Sequence, residues 1–592
     1  GWYFYDSVED FRQAVRAAND PTIDTPLVFA QRGFSIVGDN PLDPNNVGDA
    51  SNNIGAFNAY QLGFYVQDEW QATNNLRLTG GLRFDIPEVT TDPRFAPDVF
   101  STTLPELIRF HDLNGARPGQ TPDPQIYVSP RFGFNWDVFG NSTTQLRGGA
   151  GVFLGRVPFV WPGGMFLNNG ANTGIFSRFG ANPFRPDVGN GLTQADFGGS
   201  LDTLVPSGRL EMFEEDFKYP RVFRTSLGVD QDLGNGYILT LEGQYTNTLN
   251  NIMVTNINLL PPNEVLAGTD NRPIYAYDIT SSIELDGGGS LIDGRYENIH
   301  RVGSTNKGYT YNFTASLQKQ FGRSLFANVA YSYGDAFAVN DGTSSQINSL
   351  WDGVEHVYGA NNIGLSRSDF SLGHRFIVSL NYRKEFFDNL ATSISLFWEG
   401  VSGRPFSYVI SDSDAMIGEA GDPNSLLYVP NSAFELTWTG TPEEQAAQAA
   451  AFERFISSSD YLNSRRGDYV ERNGTRAPFE SIIDLKIQQE LFGNVFNRQQ
   501  KLTLTLDIFN FTNLIGQIFD VELGQRYATG SQIRPIEFEG YTDPQNGDFT
   551  PTYSFNLPDT FTSEEDIFEN NLQDFGTYSS RWQMQFGVRY SF

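Results

Sequence analysis

The chain has 592 residues, with 70 Asp plus Glu against 40 Lys plus Arg for a formal charge of −30, no Cys, and aromatic residues at 14%. The charge excludes nucleic acid as a partner, because that binding rests on neutralising phosphates with Lys and Arg, and the lack of Cys excludes disulfides and thiolate metal sites. No unbroken apolar run is long enough for a membrane-spanning helix, but strands remain open as membrane elements, because their apolar residues alternate with polar ones and hydropathy averages them away.

From the front, "GWYFY" and "LVFAQRGFSIV" read as short strands. Strands with period-two alternation follow at 60–71, 75–86, 125–138, 143–156, 219–232, 236–248, 307–321, 323–334, 371–386, 389–400, 478–491, 497–511 and 577–592. In "YQLGFYVQDEW" Leu62, Phe64, Val66 and Trp70 share one face, with Gln61, Gln67 and Glu69 opposite. The same alternation sets Leu239, Leu241, Leu504, Leu506, Phe586 and Val588 toward an apolar solvent, and Glu242, Gln244, Asp507 and Gln585 toward water. A soluble sandwich has no place for so many charged inner faces without pairing them.

The connections sharpen this reading. Within successive pairs lie only "QATNN", "FGNS", "LGNG", "FGR", "FDN" and "FGNVFN"; between pairs lie long stretches rich in Gly, Pro, Asn and Asp. Short turns on one side and long loops on the other predict an all-β fold, a transmembrane antiparallel β-barrel with periplasmic turns and extracellular loops. One loop carries a helix: "TPEEQAAQAAAFERFISSSDYL" offers Thr441 and Glu444 at capping-box spacing and Pro442 at the first turn, with Phe452, Phe455 and Ile456 as its apolar stripe. The count comes to about fifteen strands, an odd number that does not close a bacterial single-chain barrel, so residues 1–592 read as the C-terminal part of a larger one.

"QLGFYVQDEW" with "NNLRLTGGLRFDIP" resembles the paired strands of TonB-dependent outer-membrane receptors. "SPRFGFNWDVFGNSTTQLRGGAGVFLGRVPFVW", "HVYGANNIGLSRSDFSLGHRF", "GRPFSYV", "RRGDYVERNGTRAPFESIIDLKIQQEL" and the terminal "FGVRYSF" resemble the Oar-like subgroup. The resemblance implies an expected 22-stranded barrel with an N-terminal plug and a carboxypeptidase-regulatory-like domain, and neither the plug, that domain nor a TonB box is found in this sequence. It implies an active importer in the bacterial outer membrane, driven through TonB, with lipid and lipopolysaccharide around it and upstream strands and plug from the same gene product. The ligand is then a peptide, a glycan or something similarly large. The alternative is a surface structural or secretion-associated barrel that scaffolds partner proteins, a surface lipoprotein among them.

No G-x-S-x-G, P-loop or H-E-x-x-H motif occurs, so an enzyme is not expected. Trp161, Trp351, Tyr358, Phe406 and Tyr408 fall in or near outer segments, as contacts for a ligand or as rings that pack loops and girdle the membrane. "SYVISDSDAMIGEAGDPNSLLYVP" resembles a family loop that suits a hard cation: Asp412, Asp414, Asp422 and Asn424 are candidate calcium ligands, or parts of a solvated acidic loop. A final Phe after an alternating strand resembles an outer-membrane assembly signal, which makes Phe592 either that signal or the last lipid-facing residue.

Overall fold

The computed structural model describes the chain except residues 1, 6, 21, 26, 36–54, 96–98, 157, 171–172, 182–183, 185–207, 276–290, 388–389, 420–423, 494–500, 528–531, 558–579 and 592. Its wall is an antiparallel succession of thirteen strands. These are β1 (Ala59–Thr73), β2 (Leu76–Val89), β3 (Tyr127–Asp137), β4 (Thr144–Leu154), β5 (Arg221–Gly234), β6 (Tyr237–Asn256), β7 (Gly308–Phe321), β8 (Leu325–Ala338), β9 (Gly373–Phe387), β10 (Leu390–Val401), β11 (Glu480–Gly493), β12 (Lys501–Phe509) and β13 (Gln583–Ser591). Each alternating segment after residue 59 became one wall strand, every strand pairing with its neighbour in sequence.

Local chemistry sets the tight turns. Between β5 and β6, Asn235 (φ 53°) and Gly236 (φ 78°) are both left-handed, as a type I′ hairpin demands, and the Asp232 carboxylate accepts the Gly234 N–H at 2.7 Å.

Register makes the two faces explicit. Phe321, Leu325, Tyr382, Ile394, Ile487, Leu506 and Phe586 stand opposite one another across seven neighbouring strands. One residue further along, Asn381, Ser395, Lys486, Asp507 and Gln585 form a polar row. Lys486 Nζ donates to Asp507 at 2.7 Å, and Arg147 bridges Asp230 at 3.1 Å and Glu242 at 2.8 Å on the same face. Phe586 and Val588 are 67% and 61% exposed, a cost that hydrocarbon removes and water does not. The wall is thus part of a transmembrane β-barrel, lipid on one face and a hydrated lumen on the other, with the short turns periplasmic.

The first two strands differ from expectation. Trp2–Phe4 and Leu27–Ser35 are strands, but they pair with each other and with Thr173–Ala181 in a separate sheet, so among the described residues the wall has thirteen strands and not the expected fifteen or so. Trp2–Phe4 is too short to cross a bilayer, which takes about 9–11 residues in a tilted strand, whereas Leu27–Ser35 has the length but pairs outside the wall. Helix Val8–Asn19, capped by Ser7, lies between the two, and Thr173–Ala181 belongs to the long connection after β4.

The long connections build an outer platform. Within it, strand Pro405–Ser411 runs parallel to Gln532–Asp543, and Thr437–Trp438 runs parallel to Asp548–Phe555. Helix Pro442–Ser458 forms with its full capping box, and Phe452, Phe455 and Ile456 are buried against Phe406, Tyr408 and Val429. Burial of each such side chain is worth about 1.5–3 kcal/mol.

Candidate functional site

Strand β6 outruns the wall. After Asn247 it leaves β7 and continues to Asn256, where Tyr296–Thr305 pairs with it, and Gly208–Phe213 pairs with that strand in parallel. Alternation along Gly208–Phe213 sends Leu210 and Met212 into a buried cluster with Leu107, Ile257 and Ile299. Arg209 and Glu211 therefore share the opposite face, in the wall of a cavity of about 530 Å³ with Phe57, Val160, Gly163, Gly164, Leu167, Asn168, Gln346 and Asn348.

Two elements hold this cavity. The turn after helix Val160–Gly164 brings Asn168 beside Glu211: the Asn168 backbone carbonyl accepts the Glu211 N–H at 2.9 Å, and the Asn168 amide donates to Glu211 Oε1 at 2.7 Å. Helix Ile347–Asp352 presents Asn348, whose Oδ1 accepts from Asn298 Nδ2 at 2.9 Å, and Trp351, whose Nε1 donates to Asn361 at 2.9 Å. Asn361 in turn bonds the backbone of Asn256 through its Oδ1 and Nδ2, which ties the helix to the end of β6.

Glu211 is 5% exposed, and burial lifts its carboxyl to about 7 although the Asn168 amide and the Arg209 charge both oppose the rise. Among the described residues its Oε2 has no hydrogen-bond partner, nor has Arg209 Nε; Arg209 Nη2 reaches Glu297 at 3.2 Å. His300 stands opposite Glu211 in register, and burial, aided by the Arg209 charge, lowers it to about 3, so the imidazole is neutral.

The aromatic candidates divide. Trp161 is buried with its Nε1 donating to the Ser344 carbonyl at 3.1 Å, and Trp351, Phe406 and Tyr408 are buried in the platform cores. These four pack loops together in this structure. Tyr358 is exposed, with its ring edge-on to Tyr469 at 5.8 Å.

Of the calcium candidates, Asp412 is an exposed residue before helix Ser413–Ile417, and Asp414 lies in that helix. The Asn424 side chain is engaged, donating to the Asp352 carbonyl and accepting from Gln532 Nε2, each at 2.7 Å. Asp422 and Phe592 lie outside the described residues. Among the described residues no three His, Asp or Glu side chains gather as a metal site.

Arg209 and Glu211 were not singled out from sequence. Their signal is the alternation in "GRLEMF", but a charged pair on one strand is commonplace in an acidic chain, and only burial and missing partners set it apart.

Elsewhere in the platform, the "HVYGANN" segment is pinned by Glu419, whose two oxygens accept the Ala360 N–H at 2.9 Å. Burial lifts Glu419 to about 8 and lowers His356, 3.5 Å away, to about 3. The unfolded chain releases the Glu419 proton near its ordinary value of 4.5, whereas the folded chain keeps it to about 8, so this contribution to stability falls as pH rises between those values. His356 acts oppositely, adding stability as pH rises from about 3 to its ordinary 6.5, so Glu419 alone of this pair acts between 6.5 and about 8. Thermal unfolding at pH 6.5 and 8.5 is expected to show a drop in the unmodified protein that Glu419→Gln reduces; an unchanged drop would contradict a protonated Glu419.

A family model described as an outer membrane beta barrel domain matches residues 42–516. No curated protein matches the chain. Solved structures it is similar to include the outer membrane transporter YddB from Escherichia coli, at 12% identity over 76% of this chain and 41% of that one, with a TM-score of 0.36. The FrpB iron transporter from Neisseria meningitidis follows at 12%, 77% and 42%, with a TM-score of 0.32, and the copper transporter OprC at 12%, 81% and 48%, with 0.34. The chain spans less than half the length of each of these. With the family match covering most of its length and its two-faced strands, the chain belongs to the outer membrane beta-barrel domain family and resides in the bacterial outer membrane.

Proposed function

We propose that this chain forms the membrane wall and surface platform of an active importer of the TonB-dependent receptor type, Oar-like by its sequence motifs, with the cavity beside Glu211 as a ligand station. The observation that carries this reading is the wall itself. Thirteen strands leave β1 and β13 each with a single neighbour among the described residues, and unpaired backbone groups in hydrocarbon cost several kcal/mol each. Further strands of the same gene product close the barrel, which is then wider than thirteen strands and has a charged lumen. At the 22 strands that the sequence resemblance implies, the lumen is filled by a plug. The plug and its motor contact lie in the part of the gene product that carries the remaining strands.

A platform with a core of its own outside the wall favours the second reading, a surface scaffold for partner proteins. The two separate at the periplasmic side. The protein expressed whole from its gene and purified in detergent is expected to bind the purified periplasmic domain of TonB in titration calorimetry. Absence of binding would overturn the importer and leave the scaffold.

A further inference from the structure

We propose that the cavity recognises a primary ammonium group flanked by an oxygen acceptor, the pattern at the amino terminus of a peptide or in an amino sugar, with Glu211 accepting from the ammonium and Arg209 Nε donating to the oxygen. This deepens the ligand-station reading above and rests on it only for what happens to the ligand afterwards.

The geometry supplies both halves of the match. Arg209 and Glu211 are two residues apart on one strand, which places their Cα atoms about 6.5 Å apart on a common face. Each keeps one buried polar atom without a partner among the described residues, an acceptor on Glu211 and a donor on Arg209. Buried polar atoms in native proteins are nearly always paired, so two orphans of opposite sense in one cavity wall call for a reason.

The surroundings choose the sign. Glu211 Oε1 is already taken by Asn168, and Oε2 lies beside Gly164, where an added Cβ would collide with it. Lacking a side chain, Gly164 makes room for that oxygen at the cavity wall. His300, the register partner of Glu211, is neutral and supplies no cation. An entering ammonium would satisfy the orphan oxygen and draw the carboxyl, which burial keeps partly protonated, into its ionised form. An anionic ligand would meet a buried carboxylate, and a purely apolar one would leave both orphans as they are. The net charge of −30 also draws cations toward the surface.

The remaining lining fits such a ligand beyond its head group. Asn348, Gln346 and Asn168 offer amides, and Phe57, Val160 and Leu167 offer apolar surface. The volume of about 530 Å³ falls within the range of about 300–1,000 Å³ usual for small-ligand sites.

The test uses the protein expressed whole from its gene, immobilised in detergent, with two probes: an equimolar tripeptide library with free amino termini, and glucosamine oligomers. Each is paired with its N-acetylated counterpart, and retention is read by mass spectrometry. One free-amine probe is expected to be retained and its acetylated form not, and which of the two is retained names the source of the amine. Glu211→Gln is expected to weaken retention about tenfold or more, because a charge-assisted bond is lost, and Arg209→Gln to weaken it less. Retention of neither free-amine probe, equal retention of an acetylated one, or undiminished retention by a folded Glu211→Gln protein would overturn the proposal. The acetylation comparison needs no variant, so a Glu211→Gln protein that fails to fold does not spare it. TonB binding without amine retention would sink this inference and keep the importer; amine retention without TonB binding would do the reverse.

Discussion

Leu506→Arg, made in the protein expressed whole from its gene, is expected to destabilise the barrel by about 2–4 kcal/mol if Leu506 lies near the bilayer midplane, and less toward either interface. Thr505→Arg, one residue away, is expected to cost much less. Leu506 sits in an apolar row between Ile487 and Phe586, whereas Thr505 pairs with Gln488 and Gly587 on the polar face. A one-residue shift along a strand exchanges one solvent for the other, so the two substitutions bring the same guanidinium to hydrocarbon and to a hydrated lumen. Urea unfolding in lipid vesicles, with heat-modifiable gel mobility as a check on assembly, measures both. Equal losses would show that the two faces do not meet different solvents.

Asp270→Ala is expected to cost the platform about 3–5 kcal/mol, the usual result of removing one partner of a buried ion pair. Arg272 is fully buried, with its Nε 2.9 Å from Asp270 Oδ1, its Nη2 donating to the Leu426 carbonyl, and its guanidinium over the Tyr469 ring at 5.1 Å. Tyr469 O–H donates to the same Asp270 oxygen at 3.0 Å. Without Asp270 the cation stays in the core with its carboxylate gone. The double substitution Asp270→Leu with Arg272→Met is expected to recover most of the loss, since apolar replacement of a whole buried pair is often neutral. Thermal unfolding followed by proteolysis of the platform reads both proteins. A loss below about 1 kcal/mol for Asp270→Ala would mean that Arg272 finds water or another anion.

The wall was legible because every strand writes its two solvents locally. "KLTLTLDIF" alternates Leu502, Leu504, Leu506 and Ile508 with Thr503, Thr505 and Asp507, and no distant residue is needed to decide which face meets lipid. Helix Pro442–Ser458 was legible for the same reason, its cap, first-turn proline and apolar stripe all lying within one short window. Trp2–Phe4 and Leu27–Ser35 were readable as strands but not as members of another sheet, because their partner Thr173–Ala181 lies far along the chain.

The platform and its cavity depended on such distant pairings. Gly208–Phe213 finds Tyr296–Thr305 in parallel, and only then do Arg209 and Glu211 come to face Asn168, Asn348 and Gly164. Burial too comes from distant packing: Trp161, Trp351, Phe406 and Tyr408 lie in cores, while Tyr358 is at the surface. The sequence alone therefore determined the two-faced wall, the side of the short turns and the capped helix, because a period-two or period-3.6 pattern is a local record of the solvent on each face. Only the tertiary structure decided the outer sheets, the buried pair Asp270 and Arg272, and the unpartnered atoms of Glu211 and Arg209, because a missing partner is a property of everything packed around an atom and is written in no single stretch of chain.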